Sequence, residues 1–187
     1  MLRRVFFGLV LAAALASCAR GGDSAPRRDP QLDALFAQLQ DAPDAQAARG
    51  IEERIWARWG ESGSATVDVL LERASAAENA GDAALAVEFL AQASSLAPHF
   101  AEPWNRRAVL AYDQQDYSGA IAAIQETLRR EPRHFGALTG LALIYEDLGR
   151  DRQALEAYRA ALAVNPFFEE ARRGAQRLEP RVDGTEA

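Results

Sequence analysis

The 187-residue sequence contains no lysine: its 21 basic residues are all arginine, while histidine occurs twice and cysteine and methionine once each. Each scarcity removes a class of chemistry. A phosphate-binding loop of the Walker type needs a lysine ammonium at a fixed place, and so does a Schiff-base enzyme. The two histidines, His99 and His134, and one cysteine cannot build a His/Cys zinc site without carboxylate help. One cysteine forms no internal disulfide either, so the count alone leaves the redox compartment open. The 27 acidic residues give a net charge of −6, which argues against electrostatic binding to nucleic acid or to anionic headgroups. No metal, cofactor or small-molecule substrate is expected, and the length suits one ordinary domain.

What is present begins at the amino terminus. Arg3 and Arg4 precede an almost wholly apolar run from Val5 to Ala16, the arrangement of an export signal. The run is too short to span the hydrocarbon core, which takes roughly 20 residues. It ends in Leu15, Ala16, Ser17 and Cys18, which resembles the lipobox of bacterial lipoproteins. That resemblance implies a signal peptide over residues 1–17, diacylglycerol on the Cys18 thiol, and membrane attachment by acyl chains. Cleavage before Cys18 removes Arg3 and Arg4 and takes the formal charge to −8. Residue 19 is Ala and not Asp, which in Gram-negative lipoproteins implies the outer membrane. Residues 18–30, rich in Gly, Pro, Ser and charge, read as a flexible tether.

The remainder repeats. Pro98, Pro132 and Pro166 are 34 residues apart, as are Ala86, Ala120 and Ala154, and a fixed period of this size means stacked units. Further columns follow the same offset: Ala74, Ala108 and Ala142; Gly81, Gln115 and Gly149; Leu90, Ile124 and Tyr158; Ala93, Thr127 and Ala161. Small residues such as Ala108 and Ala120 let two helices approach, while Trp104, Leu141, Ile124 and Tyr158 fill the space between units. Gly81 and Gly149 sit where a first helix ends, and the prolines stop the second. This pattern resembles the tetratricopeptide repeat. The unit 135–168 carries Leu141, Ala142, Tyr145, Gly149, Ala154, Tyr158, Ala161 and Pro166 at that family's signature positions. The unit 101–134 has Trp104, Ala108, Tyr117, Ala120, Ile124 and Pro132, with Arg107 at a usual Leu and Ala111 at a usual Tyr. The unit 67–100 departs most, with Arg73 and Ala77 at those two places.

The resemblance implies an all-α fold: a short right-handed solenoid of three helix-turn-helix repeats with helices at both ends. Residues 31–63 show helical spacing in two stretches, Leu32 to Gln40 and Asp44 to Gly60, and read as a cap or a degenerate leading unit. Trp56 and Trp59 belong to the apolar face of the second stretch. Thr66 is the expected N-cap of the first repeat helix. Residues 169–179 are expected to form a capping helix, and 180–187 a frayed tail.

In this family the first helix of each unit lines a concave groove. The resemblance places Asp68, Leu71, Ser75, Glu78 and Asn79 there from the first unit, Glu102, Asn105, Val109, Tyr112 and Asp113 from the second, and Gly136, Thr139, Leu143, Glu146 and Asp147 from the third. Such a groove is acidic and polar with apolar footholds, and lacks the basic residues that clamp a C-terminal carboxylate. Asn105 offers a peptide backbone both a donor and an acceptor. The carboxylate clusters Glu52 with Glu53, Glu169 with Glu170, and Asp113 with Asp116 read as solvated faces, and the arginine doublets form no continuous stripe. No nucleophile and base pairing suggests an enzyme. The expected function is therefore a lipid-anchored adaptor of the bacterial envelope that binds a peptide segment or helix of a protein partner. The alternative is a structural subunit or pilotin-like assembly factor of an envelope machine for pili, secretion or outer-membrane assembly.

Overall fold

The computed structural model describes residues 29–184, so the signal, the lipobox and Cys18 lie outside the described residues. Among the described residues there are nine α-helices and no strand. Three antiparallel pairs form the stack: α3 (Ala65–Asn79) with α4 (Ala83–Leu96), α5 (Glu102–Asp113) with α6 (Tyr117–Arg130), and α7 (Phe135–Asp147) with α8 (Asp151–Val164). Ahead of them come α1 (Pro30–Gln40) and α2 (Ala45–Gly60), and behind them α9 (Glu169–Asp183). The protein is an all-α helical solenoid.

The repeat columns are its core. Ala74, Ala108 and Ala142, and likewise Ala86, Ala120 and Ala154, are buried where the paired helices meet. Leu90, Ile124 and Tyr158 are buried one turn further along. Within each pair the turn needs a left-handed residue: Gly81 (φ 75°), Gln115 (φ 59°) and Gly149 (φ 67°) supply it. Glycine takes that conformation freely, whereas Gln115 adopts it against its own Cβ. Asp82 and Asp116 then cap α4 and α6 by accepting the N–H groups of Leu85 and Gly119, backbone donors that the first turn leaves without a helical partner. The second helices stop at Ala97, Glu131 and Asn165, immediately before the three prolines, where φ is −127°, −134° and −127°. Proline excludes the helical conformation from the residue before it.

Three local expectations are corrected. The N-cap of α3 is Ser64, not Thr66, which lies inside the helix; the Ser62 hydroxyl donates to the Ser64 carbonyl and sets the chain's approach. α9 does not end at residue 179 but runs through Pro180 to Asp183, so 180–183 are not tail. Pro180 removes one donor near the helix end, while Val182 is buried and holds the last turn against the core.

The third correction concerns residues 31–63, which are not a leading unit. The outward face of α3, with Val69, Glu72, Arg73 and Ala76, is exposed. The α1–α2 hairpin instead lies along the edge formed by the loops between repeats. Trp59 stacks on His134 with centroids 4.0 Å apart and planes 7° from parallel, and Trp56 meets Phe135 edge-on at 5.1 Å. Polar links pin the rest: Gln40 Nε2 donates to the Val164 carbonyl at 2.7 Å, Asn165 Nδ2 to Glu52 at 3.0 Å, and Arg133 pairs with Asp33 at 2.8 Å. Leu32, Leu35, Phe36, Leu39 and Ile55 thereby share one core with Phe135, Leu155, Tyr158 and Leu178. Arg73, at a position usually apolar, is exposed, with its guanidinium 5.9 Å from the centroid of the Phe89 ring, and among the described residues no helix covers that face of α3.

Candidate functional site

The first helices α3, α5 and α7 line the inner face of the stack. Its α3 portion is closed from within, because the Arg106 guanidinium on α5 donates to the Leu71 carbonyl at 3.0 Å, to Ser75 Oγ at 2.8 Å and to Glu78 at 2.8 Å. The open portion lies between α5 and α7, with α9 at its rim. There a cavity of about 240 Å³ is lined by Asn105, Val109, Tyr112, Thr139 and Leu143, over a floor of Ala108, Ile124, Gly140 and Ile144. Glu170, from α9, also lines it.

Six of the ten groove positions expected in the second and third units thus converge on one cavity, which Gly136 also lines. Val109 is 54% exposed, although it is aliphatic. Asn105 Nδ2 is held by Glu102 at 3.3 Å, which leaves Oδ1 to accept. Thr139 is 1% exposed and its hydroxyl has no hydrogen-bond partner among the described residues. The other four positions, Glu102, Asp113, Glu146 and Asp147, lie outside its lining. Glu102 sits beside Asn105, with an oxygen 3.9 Å from the buried His134 Nε2. Asp113 is exposed at the end of α5. Glu146 is engaged inside the protein, accepting from the Tyr158 hydroxyl at 2.6 Å and from Arg177 at 2.7 Å, and it does not line the cavity. Gly140 and Glu170 were not among the expected groove residues. Gly140 breaks the chemistry of its own column, where Arg106 stands one repeat earlier.

Asp147 gathers two tyrosines at the far end of the groove: the Tyr112 hydroxyl donates to it at 2.9 Å and the Tyr117 hydroxyl at 3.3 Å. The hydrogen bond to Asp147, reinforced by burial and by that carboxylate's charge, pushes the Tyr112 pKa up to about 12. The native state therefore keeps a proton that the unfolded chain loses near pH 10, so this contribution to stability is complete below that pH and is lost as pH rises towards 12. Tyrosinate absorbance should show a late-ionising component to which Tyr112, Tyr117 and Tyr158 contribute, and Asp147→Asn should bring the Tyr112 part of it down towards 10. An unchanged titration in the variant would mean that the Tyr112–Asp147 contact does not form.

The other discounted clusters are absorbed by local structure. Glu169 pairs with Arg172 and Arg173, Glu126 with Arg129 and Arg130, and Asp116 caps α6. Arg107 and Arg130 each lie 4.7 Å over the Trp104 ring. His134 is the buried N-cap of α7, accepting the Ala137 N–H at Nδ1. Among the described residues no group of three His, Cys, Asp or Glu side chains is arranged to hold a metal ion. No helix there is long and apolar enough to cross a membrane.

Comparisons with known proteins agree with this geometry. The family profile of the tetratricopeptide repeat matches residues 105–167. A TPR repeat-containing protein of Rhizobium etli is 36% identical over 165 residues, covering 88% of this chain and 80% of its own. Among solved structures, the TPR domain of Arabidopsis OM64 is similar with a TM-score of 0.58 at 22% identity, covering 62% of this chain and 96% of that one. The first TPR of Spaghetti (RPAP3), bound to the HSP90 peptide SRMEEVD, also gives a TM-score of 0.58, at 14% identity over 63% of this chain and 94% of that one. At these identities the two structures bear on the fold alone.

Proposed function

The chain belongs to the tetratricopeptide-repeat family, and from that premise we propose that it is a non-enzymatic adaptor that holds a protein partner in the groove between α5 and α7. Domains of this family are generally protein–protein interaction modules. The observation that carries the reading is the apolar cavity between α5 and α7, open beside the exposed Val109 and edged by hydrogen-bonding groups of Asn105 and Thr139. A groove of that make-up suits a peptide segment or helix of another protein. The RPAP3 domain, whose solved structure holds a peptide, has the same fold at low identity.

In this reading the adaptor is attached to the bacterial envelope by acyl chains on Cys18 and faces the periplasm from the outer membrane. The support is sequence alone: the arginines, apolar run and Leu15–Cys18 box in order. Cys18→Ala should abolish labelling by a clickable palmitate analogue and leave an unprocessed precursor. Retained label, or wild-type protein processed elsewhere than before Cys18, would remove the anchor from the proposal.

A second reading, a fixed subunit or pilotin-like assembly factor of an envelope machine, draws on Leu96, which is 60% exposed at the end of α4 and lies outside the groove. A photo-crosslinking residue placed in cells at Val109 or at Leu96 separates the two. The groove reading expects a discrete adduct from Val109, lost on adding Leu143→Arg. Adducts from Leu96 alone would favour the second reading.

A further inference from the structure

The two glycines that interrupt α7 differ in their reasons. At Gly136 a Cβ would come within 2.5 Å of Trp56 Cη2, so docking of the α1–α2 hairpin explains its lack of a side chain. At Gly140 the nearest atom to a Cβ would be Ile124 Cδ1 at 3.8 Å, an ordinary contact. Alanine would fit there and is the better helix former. What the missing side chain of Gly140 leaves is the floor of the groove cavity.

The charged side chain that lines that cavity is acidic, and two further carboxylates close the helices on either side of it. Glu170 lines the cavity, and Asp113 and Asp147 stand at the ends of α5 and α7. None of the three has a cationic partner among the described residues; Asp147 takes only the two tyrosine hydroxyls. The neighbouring guanidinium groups are engaged elsewhere: Arg106 on Glu78, Arg177 on Glu146, and Arg107 over Trp104. Thr139, buried without a partner for its hydroxyl, lines the same space.

We propose that the occupant of this groove is a basic segment of a partner protein, which sets one aliphatic side chain in the cavity over Gly140 and its cationic groups against Asp147 and Glu170. The proposal rests on the groove reading above and adds the chemistry of what is bound. The aliphatic side chain supplies affinity by leaving water, and the acidic rim supplies selection among partners.

The test is fluorescence anisotropy with full-length protein in detergent and three labelled 12-residue peptides: one leucine flanked by arginine pairs, the same peptide with glutamate for arginine, and the arginine peptide with glycine for leucine. The arginine–leucine peptide should bind roughly tenfold more tightly than either other, with an affinity that falls as salt rises. Gly140→Leu, which fills the cavity, and Val109→Arg, at an exposed position where the fold is not at risk, should each weaken it by roughly tenfold. Asp147→Asn with Glu170→Gln should flatten the salt dependence. If the glutamate peptide binds as well or better, and Gly140→Leu still weakens its binding, the groove reading stands and the basic partner falls. If the peptides bind the two groove variants as they bind wild type, or none binds, both readings fall.

Discussion

Gly174→Ala should destabilise the protein by about 1–3 kcal/mol, against the gain of about 1 kcal/mol that alanine brings to a free helix. The Cβ of residue 174 would lie 2.2 Å from Cζ of Tyr158 and 2.4 and 2.6 Å from two further ring atoms. That ring has no room to retreat. Tyr158 is fully buried in the α8 face and its hydroxyl is fixed on Glu146, which Arg177 of α9 also grips. Burial first, then the hydrogen bond to Glu146, pushes the Tyr158 pKa upward, as suits a hydroxyl that serves as a donor. Thermal melting followed by circular dichroism should fall by about 2–4 °C for each kcal/mol lost. Tyr158→Leu in the same chain should restore part of the loss, because the two side chains contend for one space. A melting temperature that rises on Gly174→Ala would show that α9 is not seated on Tyr158. The consequence reaches the groove, since α9 carries Glu170 to its rim.

The repeat was legible because its signals are local and recur. Ala86, Ala120 and Ala154 mark the same helix contact three times, and the residues before Pro98, Pro132 and Pro166 are driven out of the helical region by the proline itself. Most of the groove followed from the resemblance to the tetratricopeptide repeat, which places the inner positions of α5 and α7. What escaped depends on surfaces that meet across the chain. Amphipathic spacing showed that Leu32, Leu35, Phe36 and Leu39 form one apolar face, but not which surface covers it; Asp33 finds Arg133 one hundred residues away. The resemblance places Glu146 in the groove, yet Tyr158 and Arg177 draw it inward from two other helices. Gly140 reads in sequence as a weak point of a helix. Its meaning appears only once the space above it and the carboxylates around it are seen together.

Trp59→Ala should cost about 3–5 kcal/mol, the usual range for removing a large aromatic side chain from a core. Trp59 is 7% exposed and touches Phe36, Trp56, His134 and Phe135, so it holds the α1–α2 hairpin to the edge of the stack. Trp59→Phe is the informative control. It keeps an aromatic ring in place and removes an indole N–H that is buried without a hydrogen-bond partner, so its loss should be much smaller. Hydrogen exchange should locate the damage: in Trp59→Ala, amides of residues 30–60 and of the first turn of α7 should exchange faster, while α3 and α4 should retain protection. Uniform acceleration over all nine helices would instead mean that hairpin and repeats open as one unit. The first turn of α7 is the sensitive point because Trp59 stacks on His134, and His134 caps that helix through the Ala137 N–H. α7 in turn carries Thr139, Gly140 and Leu143 into the groove. The hairpin is also the first described element after Cys18 in the sequence, so under the proposed anchor at Cys18 the element that follows the expected tether is the one that fixes a wall of the groove.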